Sequence, residues 1–319
     1  MTILEARALK TWFPIHGGIW GRAIGYVRAV DGVDITLEEQ EIAAIVGESG
    51  CGKSTLGQSL VGLVPIISGE ILLQGIPVDG SKPNAWQRFR KDFQIIFQDP
   101  FTSLNPRHTV FRILSEPLRL HQICAHRKER EYCAELLNSV GLPADYLDRF
   151  PHEFSGGQRQ RIAIARSVGL RPRVIICDEV VSALDVSVQA QIIQLLLELK
   201  RKMGLSLLFI THDLSLVKAI SDRVYVMYLG KIVEAAPADK LFSRPRHPYT
   251  EALLKSIPTL DRRFRPAILG GEIPSPVDVP PGCVFKGRCP YAKDLCSTKH
   301  PAMTVSDDGR NFACYFPLG

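Results

Sequence analysis

Gly47-Glu48-Ser49-Gly50-Cys51-Gly52-Lys53-Ser54-Thr55 follows the apolar run Ile42 to Val46 and precedes an amphipathic segment from Leu56 to Val64. The order reads strand, glycine-rich turn, helix. Glycines at 47, 50 and 52 let the backbone turn tightly and point successive N–H groups inward, a nest for phosphate oxygens at the positive end of a helix. In this GxxxxGK[ST] pattern Lys53 would reach β- and γ-phosphates, and the Ser54 hydroxyl would ligate Mg²⁺. A glycine-rich turn that matches by accident is the bland alternative. The legible strand and helix on either side are the context that decides against it.

A chain of 319 residues, 45% of them apolar, is long enough for one large domain or two and has the composition of an ordinary globular protein. No apolar run approaches the ~18 residues of a membrane helix, so the chain is not expected to cross a bilayer. Its start, Met1-Thr2-Ile3-Leu4-Glu5, lacks a basic leader followed by a long apolar core, and a cytosolic location is the expectation. The net charge of +6 is spread along the chain without a dense Lys/Arg tract, which reads as a solvated surface rather than a nucleic-acid face. In that compartment eight cysteines are thiols rather than a disulfide framework. Cys51, inside the loop, and Cys177, ending an apolar strand, read as packing residues. Cys124 and Cys133 share a stretch with His121 and His126, but the strong Arg/Glu content there reads as a polar helical surface, not a metal site.

Residues 1 to 46 alternate apolar and polar positions, with turns at Gly17-Gly18 and Gly21, an antiparallel β region leading into the central strand. Phe13 and Tyr26 are candidates for stacking on a flat ring, with core packing as the default. Strands follow at Glu70 to Leu73 and Phe93 to Phe97, the latter ended by Gln98-Asp99-Pro100. Between Gln98 and Arg173 the period becomes helical, through Leu114, Leu118 and Leu120 and then Leu136, Leu137 and Val140. Ser155-Gly156-Gly157-Gln158 reads as a capped helix start. Val174 to Cys177 is a buried strand ending in Asp178-Glu179, which places two carboxylates at the edge of a parallel sheet where ligands bind. Ser206 to Ile210 is a second such strand, ending in Thr211-His212-Asp213, with a crossover helix from Val186 to Lys200 between them. After about residue 250 nine of the 22 prolines fall between Pro258 and Pro317 and helical periodicity disappears, which marks a separate irregular module.

Together these runs resemble the ATP-binding subunits of ABC transporters, through GESGCGKST (47 to 55), Gln98, FSGGQ (154 to 158), VIICDE (174 to 179) with SALD (182 to 185), and His212. Longer stretches, QDPFTSLNPR, PHEFSGGQRQRIAIAR, VSALDVSVQAQ and HPYTEALL, are similar to the dipeptide, oligopeptide and nickel importer group. The resemblance implies an α/β fold: a P-loop NTPase (RecA-like) core with an antiparallel β region and an α-helical insertion, plus a small irregular cysteine-containing C-terminal module. It places a nucleotide-binding domain at 1–255, the helical insertion at about 99–173, and the extension at 256–319.

The function it implies is an ATP-binding and hydrolysing subunit that powers import of peptides or a related solute; the alternative is a soluble ABC ATPase acting on nucleic acid or ribosomes. ATP and Mg²⁺ are the implied cofactors. Phe13 would meet the adenine, while Gly47, Ser49, Gly50, Cys51, Gly52, Lys53, Ser54 and Thr55 would hold the phosphates. Ser54, Gln98 and Asp178 would serve the Mg²⁺, Glu179 would be general base toward the attacking water, and His212 would donate to the γ-phosphate. Ser155, Gly156, Gly157 and Gln158 would face the nucleotide of an opposite subunit, with Asp185 at that interface. The implied partners are a second ATPase subunit, identical or different, two transmembrane permease subunits met by the segment with Phe101, Leu104 and Asn105, and an extracytoplasmic solute-binding protein, with no nucleic acid. The place is the cytoplasmic face of the plasma (inner) membrane, peripherally. One departure is Val180, where the family usually has proline, a change expected to loosen the turn toward Ser182.

The tail holds Cys283, Cys289, Cys296 and Cys314, spaced x5, x6 and x17. Four thiolates suit tetrahedral Zn²⁺ or a 4Fe-4S cluster, and a small module without a core gains from such a staple. The spacing alone leaves both open. The GRCPYA run (287 to 292) is similar to the C-terminal extension of the same importer group, and that resemblance favours 4Fe-4S.

Overall fold

The computed structural model describes residues 1–17, 22–78, 85–99, 103–257 and 274–319. In chain order the first elements are β1 (Thr2–Gly17), β2 (Arg22–Glu38), β3 (Ile42–Val46), α1 (Lys53–Leu60), β4 (Ser68–Leu73), β5 (Ile76–Pro77) and β6 (Phe93–Ile96). Then come α2 (Val110–Leu120), α3 (Glu129–Ser139), α4 (Gly156–Val168), β7 (Val174–Asp178), α5 (Val186–Met203), β8 (Ser206–Ile210) and α6 (Leu214–Ile220). The chain closes with β9 (Arg223–Tyr228), β10 (Lys231–Pro237), α7 (Ala238–Ser243), α8 (Pro248–Leu254), α9 (Leu295–Thr298), β11 (Thr304–Val305) and β12 (Asn311–Phe312). Two compact units result, one of Met1–Lys82 with Ile210–Gly319, the other of Pro83–Phe209.

In the first unit the alternating pattern of the amino-terminal residues becomes a long antiparallel hairpin, β1 with β2, which β4 and β5 extend in the order β2-β1-β4-β5. Val33, Ile35 and Leu37 are buried in alternation along β2, as period-two burial of one sheet face requires, and Leu4, Leu9 and Val30 are buried across the register shifts of the hairpin. The unit's other sheet runs β11-β12-β10-β9-β3. All five residues of β3 are buried, the mark of a parallel strand covered on both faces. Its pairing with β9 is parallel, Val46 opposite Val226, which brings the first glycine of the loop beside Met227. The proline-rich tail is knitted into this unit: β12 pairs with β10, Phe312 opposite Glu234, and Phe285 is buried against Tyr228, Tyr249 and His247.

In the second unit β6 and β7 are parallel and the strand order is β8-β7-β6. The helices pack through Val110, Leu114 and Leu118 of α2, Leu136 and Leu137 of α3, and Ile162 and Ala165 of α4. Three expectations change here. Leu120, counted on the apolar face, is exposed, whereas Cys133, expected on a polar surface, is buried, with its thiol pushed up to about 12 by desolvation. Leu104 is buried as well and so forms core rather than a partner-facing surface; Asn105 is exposed, and Phe101 lies outside the described residues.

His247 caps α8: its Nδ1 accepts the Tyr249 N–H at 3.1 Å, and burial holds its pKa down to about 3. His300 is also lowered, mainly by burial. An unfolded histidine takes up a proton as pH falls through about 6.5, while His247 in the fold does not, so the unfolded state gains protons first and stability falls below that pH. Denaturant titrations should therefore show unfolding free energy declining from pH 6.5 to 5, and His247→Asn, which keeps an acceptor for the cap, should flatten the decline.

Candidate functional site

The loop of the first unit has the backbone that its glycines permit and other residues resist. Gly47, Gly50 and Gly52 have φ of 156°, 77° and 105°. A Cβ on Gly47 would stand 2.2 Å from the Met227 carbonyl, and one on Gly52 only 1.9 Å from the Ala29 carbonyl. The same atom on Gly50 would meet nothing within 4 Å, so the loop is packed from behind and open in front. That is the shape of a cradle whose N–H groups await an anion. Ser49 and Gly50 are exposed at its rim, and Ser54 and Thr55 are half-buried in the first turn of α1.

Lys53 is buried, and its ammonium donates to the carbonyls of Gly47 and Glu48, each at 2.9 Å, which draws the loop closed around its own charge. Cys51 is buried with its thiol raised by desolvation, and its carbonyl accepts the Gly230 N–H at 2.9 Å, the packing role its position suggests. Glu48 donates its N–H to Tyr249 Oη at 2.9 Å and receives Arg288 bidentately at 2.6 and 2.9 Å. Nothing in the sequence flagged that last contact, because its partners lie 240 positions apart.

Two further expected residues share this unit. Thr211 donates its N–H to the Ile45 carbonyl at 3.2 Å, which sets the exposed His212 beside the strand that feeds the loop. Phe13 is opposite Val27 in the hairpin whose Ala29 carbonyl backs Gly52. Its ring is 40% exposed and so is not a core aromatic. The neighbouring Trp12 is the one that packs, against Tyr26 at 6.1 Å and under the Arg28 guanidinium at 4.9 Å.

The second unit carries the carboxylates. The parallel register Ile96 to Cys177 ends β6 and β7 together, so Gln98, Asp178 and Glu179 come out at one edge of this pair. Asp178 is buried; Glu179 has a positive φ of 48°. The turn after it is closed by the Ser182 N–H and hydroxyl, both donating to the Glu179 carbonyl, at 3.1 and 3.0 Å, and Val180 is buried beneath. Valine in the proline position therefore leaves this turn hydrogen-bonded. At the start of α4, Ser155 Oγ accepts the Gln158 N–H at 3.4 Å, and the Gln158 side-chain oxygen accepts the Ser155 N–H at 3.0 Å, a reciprocal cap. Gly157 needs its small size, since a Cβ there would meet Val188 at 2.6 Å, whereas one on Gly156 would make ordinary contact with Leu184 at 3.4 Å. The exposed Asp185 occupies the N-cap position of α5, the helix that carries Val188.

In the tail, Cys283, Cys289, Cys296 and Cys314 line one small, nearly apolar cavity with Phe285 and Phe316. All four are unpaired thiols. Burial raises the pKa of Cys283 and Cys289 and lifts Cys314 to about 11, so they stay protonated unless a cation replaces the protons. Among the described residues no group of three or more Cys, His, Asp or Glu stands close enough to hold a single metal ion. A lone tetrahedral zinc would need its sulfurs within about 4 Å of one another. Also among the described residues, no helix is long and apolar enough to cross a membrane.

A glycine cradle on a helix start, carboxylates at a parallel sheet edge and a capped Ser-Gly-Gly-Gln helix define a nucleotide-binding P-loop cassette. Comparison with known proteins makes this specific. Residues 30–182 match the ABC transporter family model and 233–296 match that of the oligopeptide/dipeptide transporter C-terminal region. The chain belongs to the ABC transporter family. It is 48% identical to the oligopeptide transport ATP-binding protein AppF of Bacillus subtilis, over 98% of this chain and 97% of that one. To the oligopeptide transport ATP-binding protein OppF of Escherichia coli it is 48% identical, over 95% and 93%. The dipeptide transport ATP-binding protein DppF of Haemophilus influenzae is 44% identical over 98% and 96%. Among solved structures, cbiO1 of Clostridium perfringens, part of an ABC transporter complex, superposes with a TM-score of 0.64 at 27% identity, over 76% and 91%. The dimeric ATP-binding cassette MJ0796 bound to ADP and Pi gives 0.65 at 24% identity, over 74% and 98%, a likeness of fold. The chain is accordingly an ATPase subunit whose hydrolysis is coupled to transport, and the alternative of action on nucleic acid or ribosomes is not favoured.

Gly52→Ala tests the cradle. With φ at 105° and a carbonyl 1.9 Å from the new methyl, the loop cannot keep its shape. Equilibrium titration should show nucleotide affinity weakened by at least about tenfold, the equivalent of 1.4 kcal/mol.

Proposed function

We propose that this chain hydrolyses ATP to power import of peptides or a related small solute, as one of two ATPase subunits beneath two membrane-spanning permease subunits supplied by an external binding protein. The observation that carries the reading is the formed phosphate cradle in a chain whose tail, 233–296, matches the C-terminal region of oligopeptide/dipeptide transporters. Its place would be the cytoplasmic face of the membrane, held by those partners. Nucleotide binding belongs to residues 1–255, with the helices at about 99–173 inserted and 256–319 as an extension.

The residues divide the work by chemistry. ATP brings about four negative charges and the anhydride bond to be cleaved. Lys53 and the N–H groups from Gly47 to Thr55 neutralise and fix the phosphates, for which the Lys53 ammonium would exchange the Gly47 and Glu48 carbonyls. Phe13 offers its exposed ring to the base. Mg²⁺ would be held by Ser54, with Gln98 and Asp178, and would supply charge neutralisation at the phosphates. Glu179 takes the proton from the attacking water, Gln98 orients that water, and His212 donates to a γ-phosphate oxygen. Ser155, Gly156, Gly157 and Gln158 serve the nucleotide of the opposite subunit, with Asp185 at the contact, so hydrolysis requires the pair.

The four tail thiols line one apolar cavity, and the reading is that they hold a 4Fe-4S cluster, with zinc as the less favoured alternative. Such a cluster would supply the cation that allows buried thiolates and would staple residues 283 to 314.

Two measurements test these assignments. Glu179→Gln should bind ATP normally and hydrolyse it about 10² to 10⁴-fold more slowly, the scale of a lost general base; equal turnover removes Glu179 from that role. Protein purified without oxygen should contain iron and acid-labile sulfide, and Cys296→Ser should lose both; zinc alone would refute the cluster.

A further inference from the structure

Glu48 is out of place electrostatically. It lies between Gly47 and Ser49 in a loop whose task is to attract polyphosphate, yet its carboxylate is anionic and half-buried. Arg288 answers that charge: both amino groups of its guanidinium grip the two carboxylate oxygens, at 2.6 and 2.9 Å, and its side chain is only 5% exposed. Such a fork fixes orientation as well as charge. The rest of Glu48 is held too, its N–H by Tyr249 Oη and its carbonyl by the Lys53 ammonium. Lys53 is the residue that must turn to the phosphates, so the geometry of Glu48 bears directly on the loop.

Arg288 is itself held by the cysteine-bearing tail. It ends a 3₁₀ turn, Lys286–Arg288, bracketed by Cys283 and Cys289. The Lys286 N–H donates to the Cys283 carbonyl at 3.1 Å, the Arg288 N–H to that of Phe285 at 3.0 Å, and the Cys283 N–H to that of Cys296 at 2.8 Å. Phe285 anchors the turn 5.3 Å from the rings of both Tyr228 and Tyr249. A change at the thiols that reshapes residues 283 to 289 would move the backbone that carries the guanidinium.

We propose that Arg288 is a positioning residue for the nucleotide site, which neutralises and orients Glu48 within the phosphate loop, so that the state of the cysteine cluster sets the affinity of that loop for ATP. This rests on the reading of 47 to 55 as the ATP loop. A plain structural link between tail and loop would affect stability alone. The proposal requires that the affinity change come from an uncompensated carboxylate, and a mutant cycle isolates that.

The experiment measures the Kd for Mg·ATP, the KM and kcat of hydrolysis, and the Tm of the full chain with its partner subunits. Arg288→Gln should raise Kd and KM about tenfold with kcat within about threefold, the signature of lost ground-state binding. The same change made in a Glu48→Gln background should raise Kd less than about twofold, since no carboxylate is left unpaired. If Arg288→Gln does not fold, Arg288→Lys keeps the charge but not the fork and should cost about threefold. Cys289→Ser should reproduce the rise in Kd and add little when combined with Arg288→Gln. An unchanged Kd in Arg288→Gln, an equal loss in both Glu48 backgrounds, or full additivity with Cys289→Ser would overturn the proposal. Lys53→Ala tests the underlying reading separately: normal ATP binding by that variant would refute the ATP loop itself, whatever Arg288 does.

Discussion

Two carbonyl oxygens, those of Met227 and Ala29, stand where the Cβ atoms of Gly47 and Gly52 would be, and most of the site depends on that exclusion. The backbone can pass so close only without side chains and with positive φ, and in doing so it turns its N–H groups toward the open side. Met227 belongs to β9, which runs parallel to β3, and Ala29 belongs to the hairpin, so both sheets of the first unit brace the loop from behind. A loop held this way does not have to be ordered by its ligand, and binding energy is left for the phosphates rather than for freezing the chain.

Local order was the legible part of this sequence. The GESGCGKST run lies between β3 and α1 as its pattern requires, the Ser155 cap and the crossover helix of Val186–Met203 are present, and Asp178 ends a strand buried at every position. These features are set by neighbours within a few residues, where capping and periodicity operate. Leu120, Cys133 and Leu104 were misjudged for the opposite reason: whether one turn of an amphipathic helix or one loop residue is covered depends on distant segments. The bridge from Arg288 to Glu48 belongs to the same class, for no local rule joins residues 240 positions apart.

The tail changes meaning when its packing is considered. Proline content and the loss of helical period suggest an appendage, yet β12 continues the strand pairing from β10, and Phe285 lies in a cluster with Tyr228, Tyr249 and His247 directly behind the phosphate loop. Tyr249 ties that cluster to the Glu48 N–H, and Arg288 ties it to the carboxylate. Sequence from the HPYTEALL run and from the GRCPYA run thus converges on one loop residue. Through the Arg288 fork the proposed linkage gives the tail a means of acting on the site as well as stabilising it.

Phosphate chemistry at this loop is proposed to drive movement of a solute across a membrane. The most direct measurement is ATP hydrolysis by the chain assembled with its permease subunits in sealed vesicles, with and without peptide and binding protein on the receptor side. Hydrolysis should rise several-fold when both are supplied, and peptide should accumulate on the ATP side. Hydrolysis indifferent to peptide, in a chain that fractionates with ribosomes and never with membrane subunits, would contradict it.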